Sequence, residues 1–192
     1  MALESDGYRV FPWQIDSSNP WWSRPLKLGE IGCTLSQLAC WTAAVRRPEP
    51  YTLILEDDAI LCNDFTRRLL ACLGDLAGRF DLLYLGRFPL ESDLPYLPGI
   101  VSPGYSHCTF GYLLTRIAIE ELLALRIERC HRTHRRDPSG SLHRPPARRP
   151  TCPLPTRYPR RLTTLACDPP LVRQLPKDEA GSDTEDSPFI DE

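Results

Sequence analysis

The sequence lacks any long apolar run. No stretch approaches the roughly 20 consecutive apolar residues that a membrane-spanning helix needs. Residues 1–9 also lack the basic start and the apolar stretch of a secretory signal peptide. We therefore predict no membrane span and a cytoplasmic location.

The eight cysteines lack the spacings that define common disulfide or metal frameworks. No C-x-x-C pair occurs, and the cysteines are scattered along the chain. This pattern favours reduced thiols over disulfides. We predict that Cys33, Cys40, Cys62 and Cys72 are small, buried apolar residues.

The chain has little net charge, −2 over 192 residues, so its average charge predicts no attraction to nucleic acid or membranes. This length suits one domain with a substantial core. Residues 126–161 differ from the rest: eleven arginines minus Glu128 and Asp137 give +9, which leaves −11 for the remainder. Because residues 127–160 show no hydrophobic period, we predict that they are disordered.

The order of helical and strand patterns predicts an α/β sandwich with a mainly parallel sheet. Apolar residues at helical spacing indicate a helix over 28–45, and a central strand follows at 51–55. A second helix, capped by Asn63 or Asp64, precedes the buried strand F-D-L-L-Y-L-G-R. After a Pro-rich loop extending to Pro103, we predict a further strand and a helix over 116–125, with order returning near residue 161.

Three consecutive carboxylates, Glu56, Asp57 and Asp58, follow the first strand. Ligands of parallel α/β sheets collect at the carboxyl ends of strands. Adjacent carboxylates repel each other unless a cation is present, and hard oxygen ligands suit Mg²⁺ or Mn²⁺. The alternative interpretation is a solvated turn.

Three segments resemble glycosyltransferase family 25, which includes lipooligosaccharide and procollagen galactosyltransferases. They are L-G-E-I-G-C-T-L-S-Q-L-A-C-W, L-I-L-E-D-D and F-D-L-L-Y-L-G-R, in the family's order and approximate spacing. Y-S-H-C-T-F-G-Y-L-L-T, P-P-L-V-R-Q and G-S-D-T-E resemble later family blocks. The resemblance covers roughly residues 26–125 and 161–187.

The resemblance implies a glycosyltransferase-A-like sandwich that binds a UDP-sugar, with Mn²⁺ or Mg²⁺ at the E-D-D motif. Asp57 and Asp58 would bind the metal and the diphosphate, with Glu56 beside them. Asp183 would approach the metal, or would be solvated in an acidic tail. The nucleotide-sugar contacts would come from Glu30, Ser36, Gln37 and Arg87.

Simpler roles remain open for several of these positions. Gly29 and Gly32 could serve only to start and pack their helix, and Trp41 is more typical of a core residue than of a sugar platform. Arg87 could pair with Asp81 instead of a phosphate.

The sequence departs from the family in three places. Gln37 replaces a histidine, and an amide cannot replace imidazole as a base or ligand. The chain begins after most of the family's first strand and helix, so we expect an N-terminally truncated fold with weakened nucleotide affinity. The family's P-V-D-E-x-L-P-like motif is replaced by an Arg-rich stretch, in which Asp137 is the one candidate base.

The Arg-rich stretch also permits a genetic explanation. Each residue of 133–142 can be encoded by several codons. If these codons are read one nucleotide later, the possible translations include P-I-D-E-I-L-P-A-L-Y. This is the missing motif at the expected place. Our hypothesis is that residues 127–157 are translated out of frame. Two other interpretations are a zinc site at Cys130, His131, His134 and Cys152, and a basic arm that binds nucleic acid.

We therefore divide the chain into a family 25-like core at 1–125, a basic segment at 126–160, and a C-terminal family-like segment with an acidic tail at 161–192. The predicted function is transfer of a hexose, with galactose as first choice, from UDP to a glycan or glycoconjugate hydroxyl. No nucleic-acid partner is expected. The alternative is a catalytically inactive remnant that binds a nucleotide or a partner without turnover.

Overall fold

The computed structural model describes residues 27–125, 162–181 and 187–188. These residues form four helices, α1 to α4, at Leu28–Ala44, Phe65–Leu76, Arg116–Ala124 and Lys177–Ala180. Eight strands, β1 to β8, lie at Tyr51–Leu55, Ala59–Leu61, Leu82–Pro89, Leu94–Leu97, Ile100–Ser102, Ser106–Thr115, Thr164–Cys167 and Val172–Gln174. None of the described helices is long and apolar enough to cross a membrane.

The chain divides into two compact units, of which the first contains residues 1–38, 123–159 and 183–192. This unit contains the start of α1, where the first backbone N–H groups have no partner within the helix. Glu30 accepts a hydrogen bond from the Lys27 N–H at 2.8 Å, and the Gly29 N–H donates to Ser187 Oγ at 2.9 Å. The Leu28 N–H donates to the Pro188 carbonyl. Side-chain and backbone acceptors therefore cap this helix.

The second unit, residues 39–122 and 160–182, is built on a six-stranded sheet with the order β1-β6-β3-β7-β5-β4. The prediction of a mainly parallel sheet is wrong: only β3 and β7 pair in parallel, and the other four pairs are antiparallel. The reason lies in the connections. No helix crosses from β3 to β6, so β6 returns beside β3 in the opposite direction.

The Pro-rich loop predicted after Gly86 contains a hairpin. β4 and β5 pair antiparallel around Pro98 and Gly99, and Gly99 has a φ of +78°. Proline before a glycine with positive φ is a favoured turn pair, which explains how a Pro-rich segment forms strands. β1 was also predicted wrongly as a central strand, because within the described residues it lies at the end of the sheet and pairs only with β6.

The other predicted elements are confirmed. Helices α1, α2 and α3 and strands β3 and β6 occur at the predicted places, and β7 and β8 follow the basic segment. Asp64 occupies the N-cap position of α2, but its side chain makes no capping hydrogen bond and pairs with Arg67 instead.

The core of the second unit lies between α2 and the sheet. It is formed by buried side chains of α2, of the strands and of the segment before β8, among them Leu76, Leu83, Leu85, Phe110, Leu165 and Val172. The cysteine prediction is wrong in this respect: Cys33 and Cys40 are exposed, and Cys62 and Cys72 are only partly buried. Cys33 and Cys40 lie at exposed positions of α1, which spacing alone did not reveal. None of the six described cysteines forms a disulfide, and their redox state stays a prediction.

Gly86 and Gly111 allow β8 to cross close to β3 and β6. A Cβ atom on Gly86 would lie 2.4 Å from the Val172 carbonyl oxygen, and one on Gly111 would lie 3.0 Å from the Val172 side chain. Real Cβ atoms do not approach other atoms as closely as 2.4 Å. The glycines therefore bring β8 against the sheet, next to the Glu56–Asp58 turn.

Candidate functional site

The three carboxylates form the turn between β1 and β2. The Glu56 N–H donates to the Phe110 carbonyl at 3.1 Å, and the Ala59 N–H donates back to the Glu56 carbonyl at 3.2 Å. Asp57 is exposed, whereas Glu56 and Asp58 are partly buried. The backbone bonds thus hold the carboxylates in a short turn with only the middle one directed fully into solvent.

Asp58 is fixed by β8. The Gln174 side-chain amide donates to Asp58 Oδ2 at 2.7 Å, and the Leu175 N–H donates to the Asp58 carbonyl at 2.9 Å. β2 and β8 pair antiparallel, with Ala59 opposite Gln174. Asp58 Oδ1 is buried and receives no hydrogen bond from the described residues. Oδ2 is therefore held in place, while Oδ1 has no donor within the described residues.

Glu56 experiences an unfavourable environment for its charge. Burial raises the pKa of the Glu56 carboxyl, and the neighbouring Asp58 and Asp57 carboxylates raise it further. Both causes are expected for clustered carboxylates in a partly dry site. A cation bound beside the turn would relieve the repulsion.

The residues fit a hard divalent cation in part. A buried carboxylate oxygen without a hydrogen-bond donor is rare in folded proteins, and a bound ion or water is one explanation for it. Mg²⁺ binds through one or two carboxylates together with phosphate oxygens and waters. Within residues 27–125, 162–181 and 187–188, however, no group of three or more His, Cys, Asp or Glu side chains is arranged to hold a metal. Asp58 can supply one ligand, and the remaining ligands would have to come from outside the described residues.

Arg87 is part of a buried network at the end of β3. Its guanidinium forms an ion pair with Asp93 and donates to Ser106 Oγ at 2.6 Å, and its side chain is only 8% exposed. Asp93 also accepts from the Gly104 N–H at 3.0 Å. The proposed pairing of Arg87 with Asp81 is wrong, because Asp81 lies at the other end of β3 and accepts from the Thr163 N–H. Arg87 therefore fixes the loops beside the strand end, and a contact with phosphate stays a prediction.

The predicted residues on α1 lie in the first unit. Glu30 caps the helix, Ser36 is exposed and Gln37 is partly buried. Gly32 has open space around its Cα, so no close packing requires a glycine there. A nucleotide-sugar contact by Glu30, Ser36 or Gln37 stays a prediction.

Trp41 is partly buried and is not among the buried core residues, so its role as a core residue stays a prediction. Its indole N–H donates to the Tyr112 hydroxyl at 3.0 Å, which ties α1 to β6. Asp137 and Asp183 lie outside the described residues, as do Cys130, Cys152 and the rest of the basic segment. Their predicted roles as base, metal ligand or zinc site stay predictions.

The sequence reasoning missed Gln174 and Asp93. Gln174 ends the P-P-L-V-R-Q block, which was recognised as family-like but given no role. The block itself was the available signal. Asp93 lies within a Pro-rich stretch, and no pattern there identified it as the partner of Arg87.

Known proteins with similar sequences belong to one glycosyltransferase family. Residues 13–90 match the model of glycosyltransferase family 25, described as LPS biosynthesis protein. A glycosyltransferase 25 family member of Anopheles gambiae is 38% identical over 123 residues, which are 61% of this chain and 20% of that protein. Mouse procollagen galactosyltransferase 2 is 32% identical over 113 residues, covering 55% of this chain and 18% of that protein.

A third relative carries a different functional name. Human inactive glycosyltransferase 25 family member 3 is 35% identical over 130 residues, covering 64% of this chain and 21% of that protein. The resemblance to glycosyltransferase family 25 is thus confirmed, and the matched family includes proteins named as transferases and proteins named as inactive. The matched part of the chain spans about a fifth of the length of these relatives.

Proposed function

We propose that this chain carries the donor-binding part of a glycosyltransferase of the GT-A type. It would move a hexose, with galactose as first choice, from UDP to a hydroxyl of a glycan or glycoconjugate. The family match and the relatives named procollagen galactosyltransferase support the reaction class. Mn²⁺ or Mg²⁺ at the Glu56–Asp58 turn is part of the same proposal.

The observation that carries the proposal is the state of the Asp58 carboxylate. Gln174 occupies Oδ2, while the buried Oδ1 receives no hydrogen bond within the described chain. A buried carboxylate oxygen without a hydrogen bond lowers the stability of the fold unless a cation or a hydrogen-bond donor binds to it. A solvated turn, the alternative interpretation, would leave both oxygens in water.

The chain's own residues would act as follows. Asp58 and Asp57 would hold the cation and orient the diphosphate, with Glu56 beside them. Arg87, Asp93 and Ser106 would keep the neighbouring loops in place. When bound, the cation offsets the negative charge that develops on the diphosphate.

The transfer needs a base for the acceptor. The acceptor oxygen attacks the sugar's anomeric carbon, the bond from that carbon to the diphosphate breaks, and its electron pair leaves with UDP. The hydroxyl proton passes to a carboxylate base. Asp137 is the predicted base, in a segment outside the described residues.

A second function is favoured by specific observations. Three relatives are named inactive or probably inactive, and the family's second carboxylate motif is replaced in this sequence. A chain with the donor site but without the base would bind a nucleotide and release it unchanged. In this second function the chain is a remnant that binds a nucleotide without turnover.

Calorimetry with UDP and Mn²⁺, followed by a UDP-galactose turnover assay, distinguishes the two functions. A transferase binds UDP in a metal-dependent manner and releases UDP from UDP-galactose. The remnant binds UDP without turnover. Absence of UDP binding in the presence of Mn²⁺ would contradict both.

A further inference from the structure

Three cysteines distant in sequence meet between α2 and the sheet of the second unit. We call Cys62, Cys72 and Cys167 the thiol cluster. Cys167 Sγ donates to Cys72 Sγ at 3.9 Å, and Arg68 Nη1 donates to Cys62 Sγ at 3.4 Å. Cys167 is 7% exposed, whereas Cys62 and Cys72 are partly buried. The cluster shares no residue with the proposed metal site.

The geometry points to Cys72 and Cys167 as a pair that forms a disulfide when a low-molecular-weight disulfide such as oxidised glutathione is present. The two sulfur atoms already touch, and a bond needs an Sγ–Sγ separation of about 2.05 Å. The sulfur atoms, now 3.9 Å apart, would have to approach each other by about 2 Å. α2 and β7 pack in one core, so neither element has to unfold.

The environment separates the roles of the two thiols. Burial raises the pKa of the Cys167 thiol, and the neighbouring Cys72 raises it further, while the Arg68 guanidinium lowers it by a smaller amount. Cys167 is therefore held as a thiol that donates to Cys72. Cys72 is the more accessible sulfur and is the one that meets the reagent first.

The exchange balances in two steps. The Cys72 thiolate attacks one sulfur of the reagent RSSR, which forms a mixed disulfide and releases RS⁻. The Cys167 thiol then gives its proton to the released RS⁻, and the resulting Cys167 thiolate attacks the Cys72 sulfur, which forms the protein disulfide and releases a second RS⁻. The two thiol protons end on two RSH molecules. The protein loses two electrons, and the reagent gains them.

The disulfide would cross-link elements that support the candidate site. It joins positions 95 residues apart in sequence and links α2 to β7. β7 continues through residues 168–171 into β8, whose Gln174 holds Asp58. Oxidation would therefore stabilise the strand pair behind the Glu56–Asp58 turn.

Tryptic peptide mapping after incubation of the folded protein with oxidised glutathione tests this inference. Trypsin places Cys72 in residues 69–79, Cys167 in residues 162–173, and Cys62 in residues 47–67, so each pairing gives a distinct cross-linked mass. We expect the 69–79 to 162–173 cross-link and the loss of two free thiols. A chain in which both thiols stay reduced, or in which Cys62 forms the dominant cross-link, overturns the inference.

Variants provide the controls. Cys72→Ala and Cys167→Ala should each abolish the cross-link, and Cys72→Ala changes the less buried partner if Cys167→Ala does not fold. Cys40→Ala removes an exposed thiol of α1 and should leave the cross-link intact. Oxidation should raise the Tm of the wild type by about 5–10 °C, since the bond closes a long loop. A Tm that falls on oxidation would show that the native core does not accommodate the bond.

Discussion

Asp58 is held by a residue 116 positions further along the chain. The Gln174 amide fixes one carboxylate oxygen, and the backbone of Leu175 fixes the Asp58 carbonyl. This arrangement gives the carboxylate a defined direction without consuming both of its oxygens. At the scale of single residues, Gln174 is therefore the support on which the candidate site depends.

Replacing Gln174 with leucine should destabilise the protein by about 1–2 kcal/mol. The substitution leaves Asp58 Oδ2 without its donor, and hydrogen bonds to charged groups contribute more than neutral ones. Urea unfolding measures the change. Arg173→Gln on the same strand is the control, since Arg173 is exposed, and its unfolding free energy should stay within about 0.5 kcal/mol of wild type. Equal losses in both variants would contradict the supporting role of Gln174.

Glu56→Gln should stabilise the protein at neutral pH. The folded state raises the pKa of Glu56, so ionisation of this carboxyl opposes folding. At low pH the protonated carboxyl favours the folded state, and this contribution to stability is lost as the pH rises through the folded-state pKa. Removing the charge should therefore raise the Tm at pH 7 in metal-free buffer by about 1–2 °C, with solvent screening of this partly exposed group taken into account.

The pH dependence provides the check on Glu56. The Tm difference between Glu56→Gln and wild type should shrink as the pH falls below 4.5, the ordinary pKa of a glutamate carboxyl, because wild-type Glu56 is then protonated in both states. Glu49→Gln removes the same charge at an exposed site and should show no such trend. A Glu56→Gln variant less stable than wild type at pH 7 would contradict the described environment.

The acidic turn could be predicted from the sequence, whereas its supports could not. The apolar strand pattern is recognisable, and the three carboxylates follow it directly. Their position at a strand end could therefore be predicted from the sequence. Gln174 lies in the recognisable P-P-L-V-R-Q block, but nothing in that block shows that it contacts Asp58, and Asp93 has no local signal at all. Long-range partners of this kind are fixed by strand register, and the register depends on the whole sheet.

At the scale of elements, β8 decides where the candidate site lies. It pairs with β2 and crosses β3 and β6 where Gly86 and Gly111 leave room. The glycine in the Y-L-G-R segment thus has a physical reason: any side chain there would strike the Val172 backbone and the Phe110 ring.

Gly86→Ala should destabilise the protein by about 2–4 kcal/mol, because its Cβ would lie 2.4 Å from the Val172 carbonyl oxygen in a packed core. Gly74→Ala in α2 is the matched control. It has no atom within 4 Å of the new Cβ, and it should stabilise the helix by about 0.5–1 kcal/mol. Opposite signs in chemical unfolding are expected, and a neutral Gly86→Ala would show that β8 does not cross the sheet closely.

The helices and strands could be predicted better than their arrangement. α2 and β3 have clear periodic patterns and lie where the sequence placed them. The direction of β6 could not be predicted. Alternating helix and strand patterns predict helical crossovers between parallel strands, but β3 and β6 are not connected in this way and pair antiparallel. The β4–β5 hairpin was missed because prolines usually exclude strands from the interior of a sheet, and these strands lie at its end.

At the scale of the whole molecule, the second unit contains the candidate acidic site and the thiol cluster. The unit has its own core and its own sheet. The relatives that it matches extend far beyond the matched residues, so acceptor recognition and turnover belong to the proposal and not to the described fold. We propose that Asp58, in the acidic turn, binds a cation and a nucleotide diphosphate.

Isothermal calorimetry of UDP binding to wild type and to Asp58→Asn, with and without Mn²⁺, tests this claim most directly. Asp58→Asn removes the charge with little change of shape, and Asp64→Asn removes an equivalent charge at an exposed position before α2. We predict Mn²⁺-dependent UDP binding in wild type and Asp64→Asn, weakened at least about tenfold in Asp58→Asn. Equal UDP affinity in all three proteins, or affinity independent of Mn²⁺, would contradict the account.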